Sequence, residues 1–228
     1  MSVISVEQLT GQSESHIHWL SDAIGVHNEI LQSWLSMQQE AKSAGFDLVI
    51  ASGFRNFNRQ LNIWNRKFLG LAPIKNRENE LVDIGLLSDK EKLEAILLYS
   101  ALPGASRHHW GTDIDVYAPN LLPKNQKLQL EPWEYQKDGY FYALTCWLKS
   151  HASNFGFYFP YDEYRGGVAE EPWHLSHIKT ADKLQNNLSA VTLRNTILNS
   201  EIEGKSCIIE NLDWIIETYV LNIGNCHE

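Results

Sequence analysis

Apolar residues recur at helical spacing in three segments, and each segment predicts a helix with one buried face. The apolar positions of the first segment are Ile30, Trp34, Met37 and Ala41, those of the second are Phe57, Leu61, Trp64 and Phe68, and those of the third are Leu93, Ile96, Leu97 and Ala101. Gly45 and Gly70 follow the first two segments and are typical helix stops. Ser88 and Glu91 form an S-x-x-E capping box, which predicts the start of the third helix.

Three shorter segments have strand patterns. Residues 47–54, DLVIASGF, are a short run rich in β-branched residues and predict a buried strand. Residues 112–117 alternate two aspartates with Ile114 and Val116, which predicts a strand with one apolar and one acidic face. Residues 171–178, EPWHLSHI, predict another short strand. Residues 71–87, between the second and third predicted helices, have neither a helical nor a strand pattern and are expected to form a loop.

The last third of the chain is expected to be helical. Phe141, Leu144 and Leu148 predict a helix that ends near Gly156. From about residue 181, two apolar stripes predict a helical hairpin; they consist of Leu184, Leu188 and Val191, and of Ile208, Leu212, Ile215 and Tyr219. We therefore expect an α+β fold with a small antiparallel sheet flanked by helices. Residues 1–180 would form the catalytic domain and residues 181–228 a helical annex packed on it.

Composition and charge restrict the classes of partner. The chain has 228 residues, 43% of them hydrophobic, and a formal net charge of −9, which suits one domain with a buried core. Because Lys and Arg form no block, no binding to nucleic acid is expected. Because no run of about 18 apolar residues occurs, no membrane span is expected.

The cysteines and the N-terminus bear on the cellular compartment. Cys146, Cys207 and Cys226 form no C-x-x-C pair, so they suggest reduced thiols rather than a disulfide framework or a thiolate metal site. The N-terminus has no basic region followed by an apolar run, so the chain as written is expected to be cytoplasmic. A leader removed beforehand would instead make it periplasmic.

The acidic face of the strand at 112–117 suggests a metal site. Catalytic zinc typically has three protein ligands from His, Asp and Glu and one open position for water. His108, Asp115 and His174 are the candidate ligands, and Gly111 permits a tight path between the first two. Glu171 is the candidate base: Pro172 is expected to delay the regular strand, so that Glu171 can turn towards the metal.

Three motifs in order carry a family resemblance. They are S-G-F-R-x(4)-Q from Ser52 to Gln60, S-x-H-x-x-G-x-x-x-D from Ser106 to Asp115, and E-P-W-H from Glu171 to His174. Together they resemble the zinc D-alanyl-D-alanine carboxypeptidases, which include VanY, VanX and VanXY, over residues 27–178. The resemblance implies the fold shared by DD-peptidases and the hedgehog domain.

The resemblance also implies roles for individual residues. His108, Asp115 and His174 would bind one Zn²⁺, and Glu171 would be the general base and acid. Arg55 and Gln60 would hold the terminal carboxylate of the substrate or the developing oxyanion, for which the planar fork of Arg is well suited. Ser106 would orient the first ligand or contact substrate.

Asp113 departs from the family pattern, which usually has a small residue two positions before the aspartate ligand. Its side chain should share the face of Asp115. Extra negative charge beside a metal either strengthens cation binding or pairs with an arginine. The sequence therefore suggests that Asp113 contacts a substrate amine or Arg55.

The resemblance implies a zinc metallopeptidase that removes a terminal D-alanine from peptidoglycan stem peptides, and so a peptide substrate that contains a D-amino acid. Two related activities at the same site are alternatives: a D-Ala-D-Ala dipeptidase and an L-Ala-D-Glu endopeptidase. A more distant alternative is a non-catalytic zinc-binding module, which would not need Glu171. If residues 171–178 were helical, His174 and His177 would instead share a face and could form the metal pair.

Overall fold

The computed structural model describes residues 4–224, in which helices flank two small antiparallel sheets, so the predicted α+β class is confirmed. The strands are β1 (Ile17–Trp19), β2 (Gly25–His27), β3 (Val49–Ser52), β4 (Asp113–Tyr117), β5 (Phe157–Tyr158) and β6 (His174–His177). The α-helices are α1 (Val6–Leu9), α2 (Leu31–Ser43), α3 (Phe57–Phe68), α4 (Asp89–Leu97), α5 (Pro132–Tyr135), α6 (Tyr142–His151), α7 (Ile178–Gln185), α8 (Ala190–Leu198), α9 (Lys205–Glu210) and α10 (Leu212–Ile215). A π-helical turn, Ile216–Val220, follows α10.

The larger sheet has the strand order β3-β4-β6-β5, and all of its neighbouring strands are antiparallel. Strand β4, one of the two inner strands, places Asp115 opposite Ser52 of β3 on one side and opposite His174 of β6 on the other. Directly opposed residues in an antiparallel pair have neighbouring side chains. The register therefore brings together residues that are 59 positions apart in the sequence.

Strand β4 has one apolar and one acidic face, as predicted. Ile114 and Val116 are completely buried, together with Leu175 of β6. They belong to a core shared with α2 and α6, to which Trp34, Met37, Ala41, Phe141, Leu144 and Leu148 contribute. Successive strand residues point to opposite faces, so the apolar face anchors the sheet while Asp113 and Asp115 lie on the other face.

A second core holds α3 and α4 against the C-terminal helices. Its buried residues include Trp64, Phe68, Leu93, Ile96, Leu193, Ile197, Ile208, Leu212 and Ile215. The predicted capping box of α4 is present, because Ser88 accepts from the backbone of Glu91 and Glu91 accepts from the backbone of Ser88. The packing of this core fixes the position of α3 against the C-terminal helices.

The C-terminal region is helical as predicted, but it is divided into more pieces than a two-helix hairpin. Leu188 and Val191 were placed in one helix with Leu184, but Leu188 lies between α7 and α8 and Val191 lies in α8. The physical reason is a new helix start, since the side chain of Ser189 accepts a hydrogen bond from the backbone of Thr192 and caps α8. Gly204, with φ of 72°, likewise separates α8 from α9.

Gly111 connects the loop that carries His108 to strand β4. It has φ of 66°, and a Cβ atom there would lie 2.8 Å from the backbone nitrogen of His27. The carbonyl of Gly111 accepts a hydrogen bond from that same nitrogen. Only glycine combines this left-handed conformation with so close an approach, so the tight path expected between the first two candidate ligands is present.

Two further expectations concerned membrane-spanning helices and the cysteines. None of the helices within residues 4–224 has both the length and the apolar character needed to cross a bilayer. Cys146 and Cys207 are free thiols, whereas Cys226 lies outside the described residues.

Candidate active site

Three side chains that are distant in sequence converge on the acidic face of the sheet. His108 lies in the 3-10 turn Arg107–Trp110, Asp115 on β4 and His174 at the start of β6. One potential ligand atom from each lies within 4.8 Å of the others, and all three side chains are buried. The structure thus places the three predicted ligands around one point and forms a candidate metal site.

The hydrogen bonds of the two imidazoles determine which nitrogen faces that point. His108 Nδ1 lies 2.9 Å from the carbonyl oxygen of Gly53. Because a carbonyl can only accept, Nδ1 donates and Nε2 keeps its lone pair. His174 Nε2 lies 3.1 Å from Asp113 Oδ1, so it donates to the carboxylate and leaves Nδ1 facing the candidate site. Both rings therefore turn one nitrogen towards the site, where a cation can bind in place of a proton.

The separations of these atoms fit a single divalent cation. His108 Nε2 lies 3.5 Å from Asp115 Oδ2, and His174 Nδ1 lies 3.4 Å from Asp115 Oδ1. Two ligands of a tetrahedral zinc ion lie about 3.3–3.4 Å apart. His174 Nδ1 and Asp115 Oδ1 are buried without a hydrogen-bond partner of acceptable geometry, and buried polar atoms of that kind call for an ion or water. The residues present therefore fit a metal.

The electrostatic environment of the site favours a cation. Burial acts to raise the pKa of Asp115, but His108, His174 and Arg55 outweigh it and hold that pKa below its usual value. Burial acts to lower the pKa of His174, but the nearby carboxylates of Asp113, Glu171 and Asp115 outweigh it and raise that pKa to about 10. Both shifts have the same origin, because carboxylates surround His174 and stabilise positive charge there.

Glu171 reaches the site through a turn. The backbone nitrogen of His174 donates to the carbonyl of Glu171, and Pro172 and Trp173 occupy the two central positions. Proline is favoured at the first central position of such a turn. As predicted, Glu171 precedes the regular strand. Its Oε2 lies 3.1 Å from His174 Nδ1, and its side chain remains 12% exposed to the cavity.

The alternative metal pair of His174 and His177 is wrong. Residues 174–177 form a strand, and residues three apart on a strand point to opposite faces. His177 points away from the candidate metal site, where its ring nitrogens contact the hydroxyls of Ser33 and Thr180.

Asp113 does not contact Arg55 or face a substrate, so the sequence hypothesis for this residue is wrong. Its carboxylate is completely buried beneath His174. It accepts hydrogen bonds from Arg107 Nε at 2.7 Å, from Thr112 Oγ1 at 2.7 Å and from His174 Nε2. A buried carboxylate requires a positive partner. For Asp113 that partner is Arg107, which is itself buried, and not Arg55.

Arg107 is in turn held by three polar side chains. Its Nη1 donates to Gln185 Oε1 of α7, and its Nη2 lies 2.8 Å from Ser176 Oγ and 3.4 Å from the Tyr158 hydroxyl. The guanidinium is therefore hydrogen-bonded on all three nitrogens. The sequence offered no pattern that distinguished Arg107, although the need of Asp113 for a cation was a signal for it.

Arg55 faces the site, whereas Gln60 lies behind it. Gln60 is completely buried; its Oε1 accepts from Arg55 Nη1 at 2.8 Å and its Nε2 donates to the carbonyl of Ala101 at 2.7 Å. Its amide is thus already bonded, and the predicted direct contact between Gln60 and substrate is wrong. Arg55 Nη2 also donates to Ser52 Oγ at 3.2 Å, while its Nε is buried and unbonded.

A cavity of about 580 Å³ opens onto these groups. Its wall includes Arg55, Ser106, His108, Asp115, Glu171 and His174, and also Lys67, Tyr161 and Trp173. Ser106 lines this cavity and is 1% exposed, and its contact with the first metal ligand or with substrate stays a prediction. Lys67 was not predicted, since on a helix it resembles any polar surface residue.

The comparisons with known proteins agree with this geometry. The family model described as VanY, D-alanyl-D-alanine carboxypeptidase, matches residues 23–180. An uncharacterised protein of Haemophilus influenzae is 38% identical over 122 residues, which are 53% of this chain and 93% of that protein. The match with the family model covers more than half of the chain and includes every candidate site residue.

Two solved structures share the fold. A structure of VanYB in complex with D-alanine-D-alanine has a TM-score of 0.52 and 23% identity, and covers 83% of this chain and 91% of its own. A structure of the D,D-pentapeptidase VanY in complex with Zn(II) has a TM-score of 0.50 and 22% identity, with coverages of 75% and 86%.

Proposed function

The chain belongs to the VanY family of D-alanyl-D-alanine carboxypeptidases, and on that premise we propose that it is a zinc-dependent carboxypeptidase of peptidoglycan stem peptides. The observation that carries the proposal is the convergence of two imidazole nitrogens and one carboxylate beside the carboxylate of Glu171. The predicted substrate is a peptide that ends in D-Ala-D-Ala and loses its terminal D-alanine.

His108 Nε2, His174 Nδ1 and the Asp115 carboxylate would hold the ion. Two imidazoles and one carboxylate are a donor set of the kind used by zinc hydrolases, which leave one position open. When bound, zinc supplies Lewis acidity, which polarises a carbonyl oxygen and lowers the pKa of water.

Glu171 would move the protons of the reaction. Its carboxylate takes a proton from the attacking water as the water oxygen bonds to the scissile carbonyl carbon. It then delivers that proton to the amine nitrogen as the C–N bond breaks, so that D-alanine leaves as an amine. The partial exposure of Glu171 to the cavity supports this role, because a base must reach the substrate.

Arg55 would stabilise the negative charge that develops on the carbonyl oxygen. Its guanidinium lines the cavity and is oriented by Gln60 and Ser52. A preorganised donor of this kind stabilises a transition state because it needs no reorganisation during the reaction. Gln60 would then act through Arg55 as a positioning residue.

Asp113 would act as the partner that orients His174. A carboxylate that accepts from the second nitrogen of a ligating imidazole selects the tautomer and increases its basicity as a ligand. Because Gln185 of α7 holds Arg107 and Arg107 holds Asp113, we also propose that residues 181–228 are an annex that supports the catalytic domain.

Replacing Asp113 with asparagine is expected to weaken zinc binding by about 10- to 100-fold, the usual effect of losing such a partner. The zinc dissociation constant can be measured by competition with a chromophoric chelator. Arg107→Gln is the matched control. Like Asp113→Asn, it breaks the ion pair between Arg107 and Asp113, but it leaves the carboxylate of Asp113 bonded to His174. Equal zinc affinities for the two variants would contradict the positioning role of Asp113.

The proposed activity is tested by incubating zinc-loaded and metal-free protein with muramyl pentapeptide, free D-Ala-D-Ala and intact peptidoglycan. We expect zinc-dependent release of D-alanine from the pentapeptide, detected by mass. Cleavage restricted to the free dipeptide would identify a dipeptidase, and cleavage at the L-Ala-D-Glu bond an endopeptidase. If the zinc-loaded protein cleaves none of the three, the proposal is wrong and a non-catalytic module is favoured.

A further inference from the structure

Lys67 brings an ammonium group into the wall of the catalytic cavity. It lies in the last turn of α3, and its side chain lines the same cavity as Arg55 and Glu171. Its Nζ donates to the hydroxyl of Ser100 at 2.6 Å, and Ser100 also lines the cavity. The position of this cation is therefore set by a defined contact rather than by free rotation in solvent.

The ammonium of Lys67 lacks a carboxylate partner within residues 4–224. Two other cations of the cavity wall already have partners: Lys75 pairs with Glu131, and Arg77 stacks over the ring of Tyr164 at 3.8 Å. Burial lowers the pKa of Lys67, which reflects the cost of removing an ammonium from water. A partly buried cation with only a neutral hydroxyl as its partner leaves this part of the cavity ready to bind an anion.

Glu171 does not fill that role. Its carboxylate lies 3.1 Å from His174 Nδ1 and forms no ion pair with Lys67. Four carboxylates line the cavity: Asp115 and Glu171 are directed to the candidate metal, Glu131 pairs with Lys75, and Glu78 forms no ion pair with Lys67. Lys67 therefore remains available. The cations Arg55 and Lys67 also differ in their electrostatic surroundings. Among nearby charges, Asp115 has the largest effect on the pKa of Arg55, whereas Glu171 has the largest effect on the pKa of Lys67.

We propose that Lys67 and the hydroxyl of Ser100 form a subsite for the free C-terminal carboxylate of the substrate. This inference rests on the proposed function and adds the residue that restricts it to exopeptidase cleavage. Arg55 is then left for the oxyanion. A peptide whose carboxylate is blocked would place a neutral group against Lys67 and lose the charge-assisted hydrogen bond.

The test compares two forms of the pentapeptide L-Ala-γ-D-Glu-L-Lys-D-Ala-D-Ala, one with a free C-terminal carboxylate and one with a C-terminal amide. For the zinc-loaded wild-type protein we expect kcat/KM to favour the acid by about 30-fold or more, because a lost partner in a desolvated charge pair has at least this effect. Lys67→Met should lower kcat/KM for the acid by the same factor and change that for the amide by less than about threefold. Lys67→Arg, which keeps the charge, should preserve the preference for the acid.

Two further measurements separate the possible failures. Lys42→Met is the matched control, because Lys42 is exposed and pairs with Asp47 on the surface; it should leave both substrates unaffected. Dissociation constants of both peptides, measured by calorimetry in a Glu171→Gln background with and without Lys67→Met, report the carboxylate preference without hydrolysis. Lys67→Gln provides a second neutral variant if Lys67→Met does not fold.

The outcomes are distinct for the two proposals. A wild-type protein that binds the acid more tightly than the amide but hydrolyses neither would overturn the proposed function and leave the carboxylate subsite standing. A wild-type protein without preference between acid and amide would overturn the subsite. Equal losses for acid and amide in Lys67→Met, with zinc content and folding intact, would also overturn it.

Discussion

Replacing Glu171 with glutamine is expected to lower kcat by roughly 10³–10⁴-fold, the upper range for loss of a general acid–base group. Glutamine has nearly the same shape as glutamate but can neither take a proton from water nor deliver one to the leaving amine. Because Glu171 is not one of the three candidate ligands, zinc content should remain at one ion per chain. D-Alanine release from the pentapeptide, followed by mass, measures the first effect, and elemental analysis measures the second.

The matched control is Glu170→Gln. Glu170 is the preceding residue and carries the same charge, but it is not part of the cavity wall, so its loss should change kcat by less than about threefold. Comparable losses in the two variants would show that the effect is one of overall charge. A fully active Glu171→Gln protein would remove Glu171 from the reaction altogether.

Replacing any of His108, Asp115 or His174 with alanine is expected to abolish zinc binding at micromolar metal and to lower activity by roughly 10³-fold or more. Several kcal/mol of transition-state stabilisation come from the ion, and two remaining ligands do not form a catalytic zinc site of the usual three. Each variant should stay metal-poor after equilibration with a zinc buffer, while the wild-type protein holds one ion.

His177→Ala is the control for these variants. His177 is a buried histidine on the same strand as His174, but it faces Ser33 and Thr180 on the opposite side. Its loss should affect stability while leaving one zinc ion bound. Retention of zinc by His174→Ala together with its loss from His177→Ala would contradict the assignment of ligands.

The parts of the fold that the sequence predicted are those with strong local patterns. The apolar spacing of α2 and α3 survives in the structure because each helix buries one stripe. The alternation of Asp113 to Val116 identified both the strand and its two faces, since the period of a strand is two. The strands β1, β2 and β5 were missed because two or three residues each are too few for a period to be recognised.

The candidate site was predictable to the extent that its residues form motifs. His108 and Asp115 are seven residues apart and are joined by a glycine that the backbone path requires. Glu171 and His174 are connected by a turn that Pro172 favours. These relations are local, so the sequence contains them.

Side-chain partners across the fold were not predictable in the same way. Asp113 was expected beside Arg55, yet it pairs with Arg107, and only the tertiary structure brings Gln185 to the same guanidinium. Gln60 was assigned to substrate because the sequence could not show that Ala101 and Arg55 occupy both ends of its amide. Lys67 was overlooked because its burial depends on the segment around Ser100.

The most direct test of the central claim is an anomalous difference map, recorded at the zinc absorption edge, from crystals of the zinc-loaded protein. The account predicts one strong peak about 2.0–2.2 Å from His108 Nε2, His174 Nδ1 and a carboxylate oxygen of Asp115. A map with no peak among these three residues, or with its strongest peak elsewhere in the molecule, would contradict it.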